Sequence, residues 1–352
     1  MKLGLGFGLG GSGGASGYYI AINGAAGGSF NETTGVAGVI GTATSNIGGT
    51  ITWSIVAGSD ARISINSSTG AVSTSGAIFS GDSAAFTVRA NNGTRALEFP
   101  FTAVGTVSYA AEASALFARF STDPGSTRKT AINTFIVALK TAGVWTKLDG
   151  LYILAAHSSQ AAQRNWIADQ YNLTENNSPT FTTDRGYTGN GTNMYLDTGF
   201  NPSTASSPQF TRNSAHAGVW SRTESLTNYD MGETVAGLGV NPRSSTANTM
   251  RGYVNDTAAA YNYGSNTTSV GHFIISRSSS SSTVGYINST ATSTVTSTST
   301  ALGSGTITIL RNLTGYSSRQ IAAAHFGAHL SGADASAFYS ALNTYLVTVG
   351  AA

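Results

Sequence analysis

The acidic residues of this chain do not form the pair that glycoside hydrolysis requires, which is two carboxylates on one face about 5 to 9.5 Å apart. The closest pair, Asp230 and Glu233, is separated by three positions, which places the two on opposite faces of a regular strand. Asp184 and Asp197 each lie in a Gly-rich turn, where aspartate commonly stabilises the turn itself. Because the chain has only 16 acidic residues, we predict that it is not an enzyme.

The histidines have one spacing of interest. They are His157, His216, His272, His325 and His329. Two of them, His325 and His329, are four residues apart, which on a helix would suit two metal ligands. Their segment has the pattern of a strand and no carboxylate accompanies them, so we predict packed or surface histidines and no metal. The chain has no cysteine, which excludes disulfides, thiolate metal sites and cysteine nucleophiles.

Gly-rich runs such as GFGLGGSGG resemble a phosphate-binding loop only in composition. They lack the preceding strand, the following helix and the lysine that such a loop uses. We therefore expect no cofactor.

Several aromatic and polar side chains could bind a saccharide through ring stacking and hydrogen bonds. They are Trp220, Arg222, Tyr229, Tyr253, Asn255, Tyr261 and Tyr263. The stretch YVNDTAAAYNYGSN has the composition of a loop with exposed tyrosines and is the strongest part of this prediction. Trp220 lies in an alternating, strand-like run, which favours a position in the core over a ligand platform.

The composition excludes other classes of protein. Charged residues make up 10% of the chain and the net charge is +2, against an average of about 25% charged residues in soluble domains. No Lys/Arg-rich patch marks a nucleic-acid binder, and no run approaches the ~18 apolar residues of a membrane span. A surface rich in Gly, Ser, Thr and Asn suits a protein that works outside a cell or packs against its own copies.

Residues 1–28 are predicted to form a Gly-rich arm. Leu3, Leu5, Phe7 and Leu9 alternate with glycines, and this period of two places the four apolar side chains on one face of an extended strand. Such an arm could add to the sheet of a neighbouring protein, with the apolar side chains filling pockets. A flexible tail is the alternative. The same glycines interrupt any signal-peptide helix.

Residues 29–106 are predicted to form a small β-sandwich, because strand-like runs alternate with Gly, Asn and Ser turns. The run from Ile63 to Val72 (ISINSSTGAV) is an alternating strand, a turn and a second strand. This order resembles cadherin-like or immunoglobulin-like domains. Cadherin repeats bind calcium through acidic clusters, whereas only Asp60 and Asp82 are near here. We predict no calcium and a role as a spacer or mount.

Residues 107–170 are predicted to form a helical collar. Ile132, Phe135, Ile136 and Leu139 make one apolar stripe at helical spacing, and Gly143 is well placed to end that helix.

Residues 171–352 are predicted to form a sandwich of short antiparallel strands closed by a helix. The Ser/Thr-rich tract from Ser276 to Thr300 contains apolar residues that favour a solvated edge hairpin over a linker. Ser331 and Asp334 have the spacing of a capping box at the start of the final helix.

The second half of the chain resembles a known module. The stretch SPTFTTDRGYTGNGTNMYLDTGFNP (178–202) follows the helical lead-in TAINTFIVALKTAGVWTKLDGLYILAAHSSQAAQRNW, and the chain closes with SRQIAAAHFGAHLSGADASAFYSALNTYLVTVG. This arrangement is similar to a module of bacteriophage structural proteins with a concanavalin-like or laminin-G-like jelly roll. The resemblance covers residues 108–350.

The resemblance implies a mainly β fold and a virion structural protein, such as a fibre, spike or decoration subunit on the virion surface. The arm would bind other virion proteins of the capsid or tail. By analogy with phage fibres, many of which are trimers, we expect a homo-oligomer. We also expect the jelly roll to attach to a host-surface glycan. The alternatives are a polysaccharide-degrading tailspike hydrolase and a bacterial surface adhesin.

Overall fold

A computed structural model describes residues 17–33, 35, 37–235, 237–244, 248–256 and 260–351. The chain divides into two compact units, Met1–Tyr109 and Ala110–Ala352. Both are built mainly of strands, so the predicted mainly β fold class is confirmed. Leu3, Leu5, Phe7 and Leu9, the predicted anchoring residues, lie outside the described residues. Among the helices that the structure describes, none is long and apolar enough to cross a membrane.

The described residues of the first unit form two four-stranded sheets, ordered β1-β3-β6-β5 and β2-β8-β7-β4. The strands are β1 (Ile20–Ile22), β2 (Gly28–Glu32), β3 (Gly38–Ser45), β4 (Thr52–Ile55), β5 (Ile63–Ile65), β6 (Ala71–Thr74), β7 (Ser83–Asn91) and β8 (Ala96–Gly105). Strands β2 and β8 are parallel, while the other pairs are antiparallel. Alternate residues of β7 are buried, which is the pattern of a strand with one face on a core.

The predicted arm does not extend to residue 28. Ile20 and Ile22 are fully buried in the core of the first unit, and β1 pairs with β3. The prediction missed this strand because its three residues follow a long Gly-rich run and carry little pattern of their own.

Arg62 neutralises the two carboxylates considered for calcium. Its guanidinium forms salt bridges with Asp60 at 2.8 Å and Asp82 at 2.7 Å. The hydrogen bond from Arg62 holds the pKa of Asp60 below its usual value. The positive charge beside Asp60 and Asp82 is therefore the guanidinium of Arg62.

The second unit contains four helices and seventeen strands among its described residues. The helices are α1 (Ala111–Phe117), α2 (Ser126–Thr141), α3 (Ser159–Ala162) and α4 (Gly332–Thr348), with a single 3-10 turn at Trp145–Lys147. The strands are β9 (Leu148–Ile153), β10 (Thr174–Asn176), β11 (Thr180–Thr182), β12 (Gly186–Thr188), β13 (Tyr195–Asp197), β14 (Ala215–Ser221), β15 (Met231–Glu233), β16 (Leu238–Asn241), β17 (Thr249–Val254), β18 (Tyr261–Ser265), β19 (Gly271–Arg277), β20 (Ser282–Ile287), β21 (Thr290–Thr296), β22 (Ile307–Ile309), β23 (Arg311–Asn312), β24 (Gly315–Tyr316) and β25 (Gln320–Gly327).

Two antiparallel sheets enclose the core of this unit. One is seven-stranded, in the order β10-β13-β22-β15-β16-β17-β18, and the other is eight-stranded, in the order β11-β12-β25-β14-β19-β20-β21 with β9 beside β25. The core between them includes Leu196, Val219, Val240, Phe273 and Phe326, all fully buried. This sandwich matches the predicted architecture. The Ser/Thr-rich tract forms the hairpin of β20 and β21 at one edge of the eight-stranded sheet, as predicted.

The segment expected as a helical collar belongs to the same compact unit as the sandwich. Strand β9 pairs with β25 along the eight-stranded sheet, so residues 110–170 contribute to the sandwich itself. The predicted apolar stripe of α2, from Ile132 to Leu139, is buried.

Helix α4 covers the outer face of the eight-stranded sheet. It begins with the predicted capping box, in which the Ser331 side chain accepts from the Asp334 backbone and Asp334 accepts in return. Tyr339 stacks on Trp220 with ring centroids 5.7 Å apart. The ring centroids of Phe338 and His325 are 4.2 Å apart.

Three buried histidines form a hydrogen-bonded chain beneath α4. His216 bonds through Nδ1 to the Ala328 carbonyl and through Nε2 to His325 Nδ1 at 3.0 Å, while His325 Nε2 meets His272 Nε2 at 2.8 Å. A neutral imidazole has one donor and one acceptor. Because the carbonyl only accepts, His216 Nδ1 carries a proton, and His325 Nδ1 and His272 Nε2 must then be the next donors. Every bond in the chain is satisfied when all three rings are neutral.

The histidine chain predicts loss of stability in mild acid. Burial lowers the pKa of His216 to about 4 and that of His272 to about 3, against 6.5 for an exposed ring. At pH values below 6.5 and above these lowered pKa values, the unfolded state binds more protons than the folded state. The free energy of unfolding therefore falls as the pH drops below 6.5. At pH 5, which is 1.5 units below 6.5, His272 alone lowers the free energy of unfolding by about 2 kcal/mol, because each pH unit contributes 1.36 kcal/mol.

We expect the variant H272F to lose less stability than the wild type between pH 7.5 and pH 5, measured by denaturant unfolding. A comparison of the two proteins cancels the opposite contribution of Glu233, whose pKa is raised. Parallel pH profiles of H272F and wild type would contradict this account.

Candidate functional site

Five of the seven predicted sugar-binding residues have structural contacts that tie them to the fold. Trp220 is buried on the eight-stranded sheet, where its ring packs against those of His272 and Tyr339. The core position, which the strand-like run favoured, is the observed one. Arg222 is half-buried and donates to Gln320 Oε1 at 3.1 Å.

The loop with exposed tyrosines was also a wrong prediction. Its two ends form the strands β17 and β18, which pair with each other. Tyr263 is fully buried and shares a hydrogen bond with Thr283, and Tyr261 donates to Asp256. Asn255 is fully buried and its amide holds the carbonyls of Thr211 and Arg212. Tyr261 and Tyr263 are two residues apart in β18, so both rings lie on the face of the strand that packs against the core.

Tyr229 and Tyr253 are brought together on the outer face of the seven-stranded sheet. Their rings meet edge to face with centroids 6.0 Å apart. Strand alternation explains the position of Tyr253, because its neighbour Val254 lies in the core and its partner in β16 is Gly239. A Cβ atom on Gly239 would lie 2.9 Å from the Tyr229 ring, so the glycine lets this ring lie directly on the sheet.

A second pair of tyrosines lies on the same side of the sheet. Tyr195 alternates with the buried Leu196 in β13, and its ring centroid is 6.1 Å from that of Tyr316 in the β23–β24 hairpin. The guanidinium of Arg311 lies 4.6 Å from the Tyr195 ring centroid and 5.6 Å from that of Tyr316. This is the geometry of a cation–π contact.

Asn312 connects Tyr253 to the β23–β24 hairpin, in which it pairs with Gly315 beside Tyr316. Its side chain covers Gly232, where a Cβ atom would lie 2.5 Å from Asn312 Cβ. Its amide donates to the Tyr253 hydroxyl at 2.9 Å. On the Tyr316 side, the Asn228 amide donates to the Tyr316 carbonyl. We call Tyr195, Tyr229, Tyr253 and Tyr316 together the tyrosine face.

The rings of the tyrosine face differ in exposure. Tyr195, Tyr229 and Tyr316 are half-buried, whereas Tyr253 is 7% exposed and supports Tyr229 from below. Burial raises the pKa of Tyr229, and it raises the pKa of Tyr253 to about 12. Both phenols are therefore neutral near pH 7. The Tyr253 hydroxyl is bonded to Asn312, so the rings that remain accessible for stacking are those of Tyr195, Tyr229 and Tyr316.

Arg251 adds a second guanidinium on this side of the sheet, and its Nη2 donates to the Ala260 carbonyl at 3.4 Å. Arg251 and Tyr253 are two residues apart in β17, so their side chains lie on the same face of the sheet. Arg251 is half-buried, and its Nε is shielded from solvent without a hydrogen bond to any residue that the structure describes. Together with Arg311 it gives the face two cations that could bind hydroxyl or carboxylate oxygens of a ligand.

A buried ion pair holds both halves of the tyrosine face in place. Arg319 and Asp230 are fully buried and their side chains meet at 3.1 Å. Arg319 also donates to the Asn228 carbonyl at 3.3 Å, so the residues on both sides of Tyr229 are fixed by one guanidinium. Ser317, next to Tyr316, donates to Asp230 at 2.6 Å.

Three of the four acidic residues considered for hydrolysis are paired with other groups of the fold, and the fourth, Glu233, is buried. Glu233 is fully buried, and burial raises its pKa to about 8. Asp230 is committed to Arg319. Asp184 pairs with Arg128 at 2.7 Å, and Asp197 accepts from the Thr306 hydroxyl and the Gly199 backbone.

Sequence reasoning missed Tyr195, Tyr316, Arg311, Asn312 and Arg251. The alternation of Tyr195 with apolar neighbours was visible, but a period of two does not show which sheet face is free. Tyr316 and Arg311 lie far from Tyr195 in sequence, and only the pairing of β13 with β22 brings them together.

We expect the variant R319M to lower the free energy of unfolding by about 3 to 5 kcal/mol, because it leaves the carboxylate of Asp230 buried without its cation. Denaturant unfolding of the full chain measures this. The control variant R185M removes an exposed arginine, and little change is expected. Equal stability of the two variants would show that the buried pair does not hold the fold.

No protein-family model matches the chain, and no curated protein matches it in sequence. Solved structures similar to it include domain 4 of AbnA, a GH43 extracellular arabinanase from Geobacillus stearothermophilus in complex with arabinotriose (13% identity, 55% of this chain and 98% of that chain, TM-score 0.38). Others are Trypanosoma rangeli sialidase in complex with sialic acid (10% identity, 80% and 47%, TM-score 0.43) and the botulinum neurotoxin serotype D binding domain (10% identity, 56% and 52%, TM-score 0.40). The chain spans about half the length of these last two. Likenesses this distant assign no function.

Proposed function

We propose that this chain is a bacteriophage virion structural protein whose second unit attaches to a glycan of the host surface through the tyrosine face. The observation that carries the glycan part is the grouping of three half-buried tyrosine rings with Arg251 and Arg311 on one face of a sheet. Aromatic rings pack against the apolar face of a sugar ring, while arginine and amide donors bind its hydroxyl groups.

The virion part of the proposal rests on sequence. The second half of the chain resembles a module of phage structural proteins, the charged fraction is low, and the N-terminal arm alternates apolar residues with glycine. An oligomer that displays many copies of a weak site would bind a repetitive surface firmly by avidity.

Binding is favoured over the hydrolase alternative by the state of the acidic side chains. Glycoside hydrolysis uses two carboxyl groups that both reach the substrate. Asp230 and Glu233 are fully buried and face no solvent. The tyrosine face carries aromatic and cationic groups, which are suited to holding a sugar in place.

We expect the double variant Y195A/Y316A to bind bacterial surface polysaccharides about tenfold more weakly than the wild type, because two stacking rings are lost. The measurement is binding of the bead-displayed full chain to an array of lipopolysaccharide, capsular and teichoic-acid glycans. The matched control Y18A/Y19A removes two exposed tyrosines of the first unit and should bind as the wild type does. Equal binding by both double variants would refute the role of the tyrosine face.

The virion assignment predicts that the chain copurifies with intact particles of its source. Mass spectrometry of particles banded in a density gradient should find it at a fixed ratio to the major capsid protein. Its presence only in the unbanded lysate would favour a soluble hydrolase or a bacterial adhesin.

A further inference from the structure

A cleft of about 400 Å³ opens elsewhere on the second unit. It lies between the 3-10 turn with the start of β9, the loop at 165–171 and the loop at 200–210. None of its lining residues belongs to the tyrosine face. Its volume is at the lower end of the range for ligand pockets, about 300 to 1,000 Å³, and suits a ligand of one or two rings.

The inner part of the cleft is apolar and aromatic. Trp145, Leu148 and Phe200 are buried there, and Tyr171 is half-buried beside them. The Tyr171 ring meets Phe200 edge to face with centroids 5.0 Å apart. A sugar ring has a comparable apolar face that packs against aromatic side chains.

The rim is polar but carries no cation. Gln170, Ser206 and Gln209 are exposed, and their side chains make no hydrogen bond to another residue that the structure describes. Primary amides and hydroxyls both donate and accept, which matches the hydroxyl groups of a sugar. The lining contains no Lys, Arg or His, so an anionic ligand would find no partner charge.

The one carboxylate of the lining serves the walls of the cleft. Both oxygens of Asp149 accept backbone N–H groups, from Gln209 at 2.8 Å and from Phe210 at 2.7 Å. These bonds fix the 200–210 loop to β9. The Asp149 side chain is half-buried in the wall, and this burial raises the pKa of its carboxyl group.

Tyr171 is held in a strained conformation at this cleft. Its φ is +58°, in the left-handed region that is costly for a bulky side chain, by roughly 1 to 3 kcal/mol. The buried Tyr152 hydroxyl donates to the Tyr171 carbonyl at 2.7 Å. Asn165 ties the same loop together, because its side chain bonds the backbones of Leu151, Ile167, Asp149 and Gln170. Strain that surrounding contacts maintain is typical of binding sites.

We propose that this cleft binds one or two residues of an uncharged glycan, with a sugar ring against Tyr171 and Trp145 and its hydroxyls bound to Gln170 and Gln209. The inference deepens the proposed glycan-binding function, on which it rests, but it uses a separate site. It also assigns a ligand class, since the arginines of the tyrosine face suit acidic glycans and the cleft suits neutral ones.

The test is saturation-transfer NMR of the full chain with the methyl glycosides of glucose, galactose, N-acetylglucosamine and rhamnose, and with choline as a cationic probe. We expect transfer to the ring protons of at least one glycoside. The variant Y171N removes the ring but keeps a residue that tolerates the left-handed conformation, and A168W fills the cleft from an exposed position. Both should weaken binding about tenfold.

The matched control A291W adds the same side chain at an exposed position on β21 and should bind as the wild type does. Melting temperatures confirm that each variant is folded. Wild-type binding by A168W, transfer to choline alone, or no transfer to any glycoside would overturn the proposal. The variant Y195A/Y316A separates the two sites. If that variant abolishes transfer and A168W does not, the cleft proposal fails and the tyrosine face remains.

Discussion

The buried ion pair between Arg319 and Asp230 is the interaction on which the tyrosine face depends. Removing two charges from water costs several kcal/mol for each ion, and this cost is offset only when the remaining donors are also satisfied. Arg319 satisfies them by reaching the carbonyls of Ser225, Asn228 and Arg243 and the side chain of Asn241. Ser225 and Asn228 precede β15, Asn241 ends β16 and Arg243 follows it. A single guanidinium therefore fixes the irregular segments on both sides of the β15–β16 pair.

The two candidate sites share one physical strategy and differ in charge. In both, irregular segments are held by buried polar groups before any ligand arrives, so that little ordering cost remains to be met on binding. At the tyrosine face the buried group is Arg319, and glycines beneath the rings allow close packing on the sheet. At the cleft the buried groups are Asn165 and Tyr152. Arginines border the first site, whereas the second has an uncharged rim.

Sequence patterns predicted what depends on neighbouring residues. The apolar stripe of α2, the capping box of Ser331 and Asp334 and the Ser/Thr-rich edge hairpin each follow from local spacing. The patterns did not predict which tyrosines are exposed. Tyr253 and Tyr263 lie on paired strands, yet one faces outward and the other faces the core, and the pairing of these strands shifts register between Thr249 and Arg251. Such an irregularity is decided by packing between sheets.

Long-range groupings were also beyond the sequence. The histidine chain draws on three strands, and no spacing in the sequence predicts it. His325 bonds to His216 and His272, whereas His329 bonds to Ser276. The most direct test of the whole account is a structure of the full chain bound to the surface polysaccharide of its host. The account predicts sugar rings stacked on Tyr195, Tyr229 or Tyr316. Density for the sugar on neither the tyrosine face nor the cleft, with binding demonstrated, would contradict it.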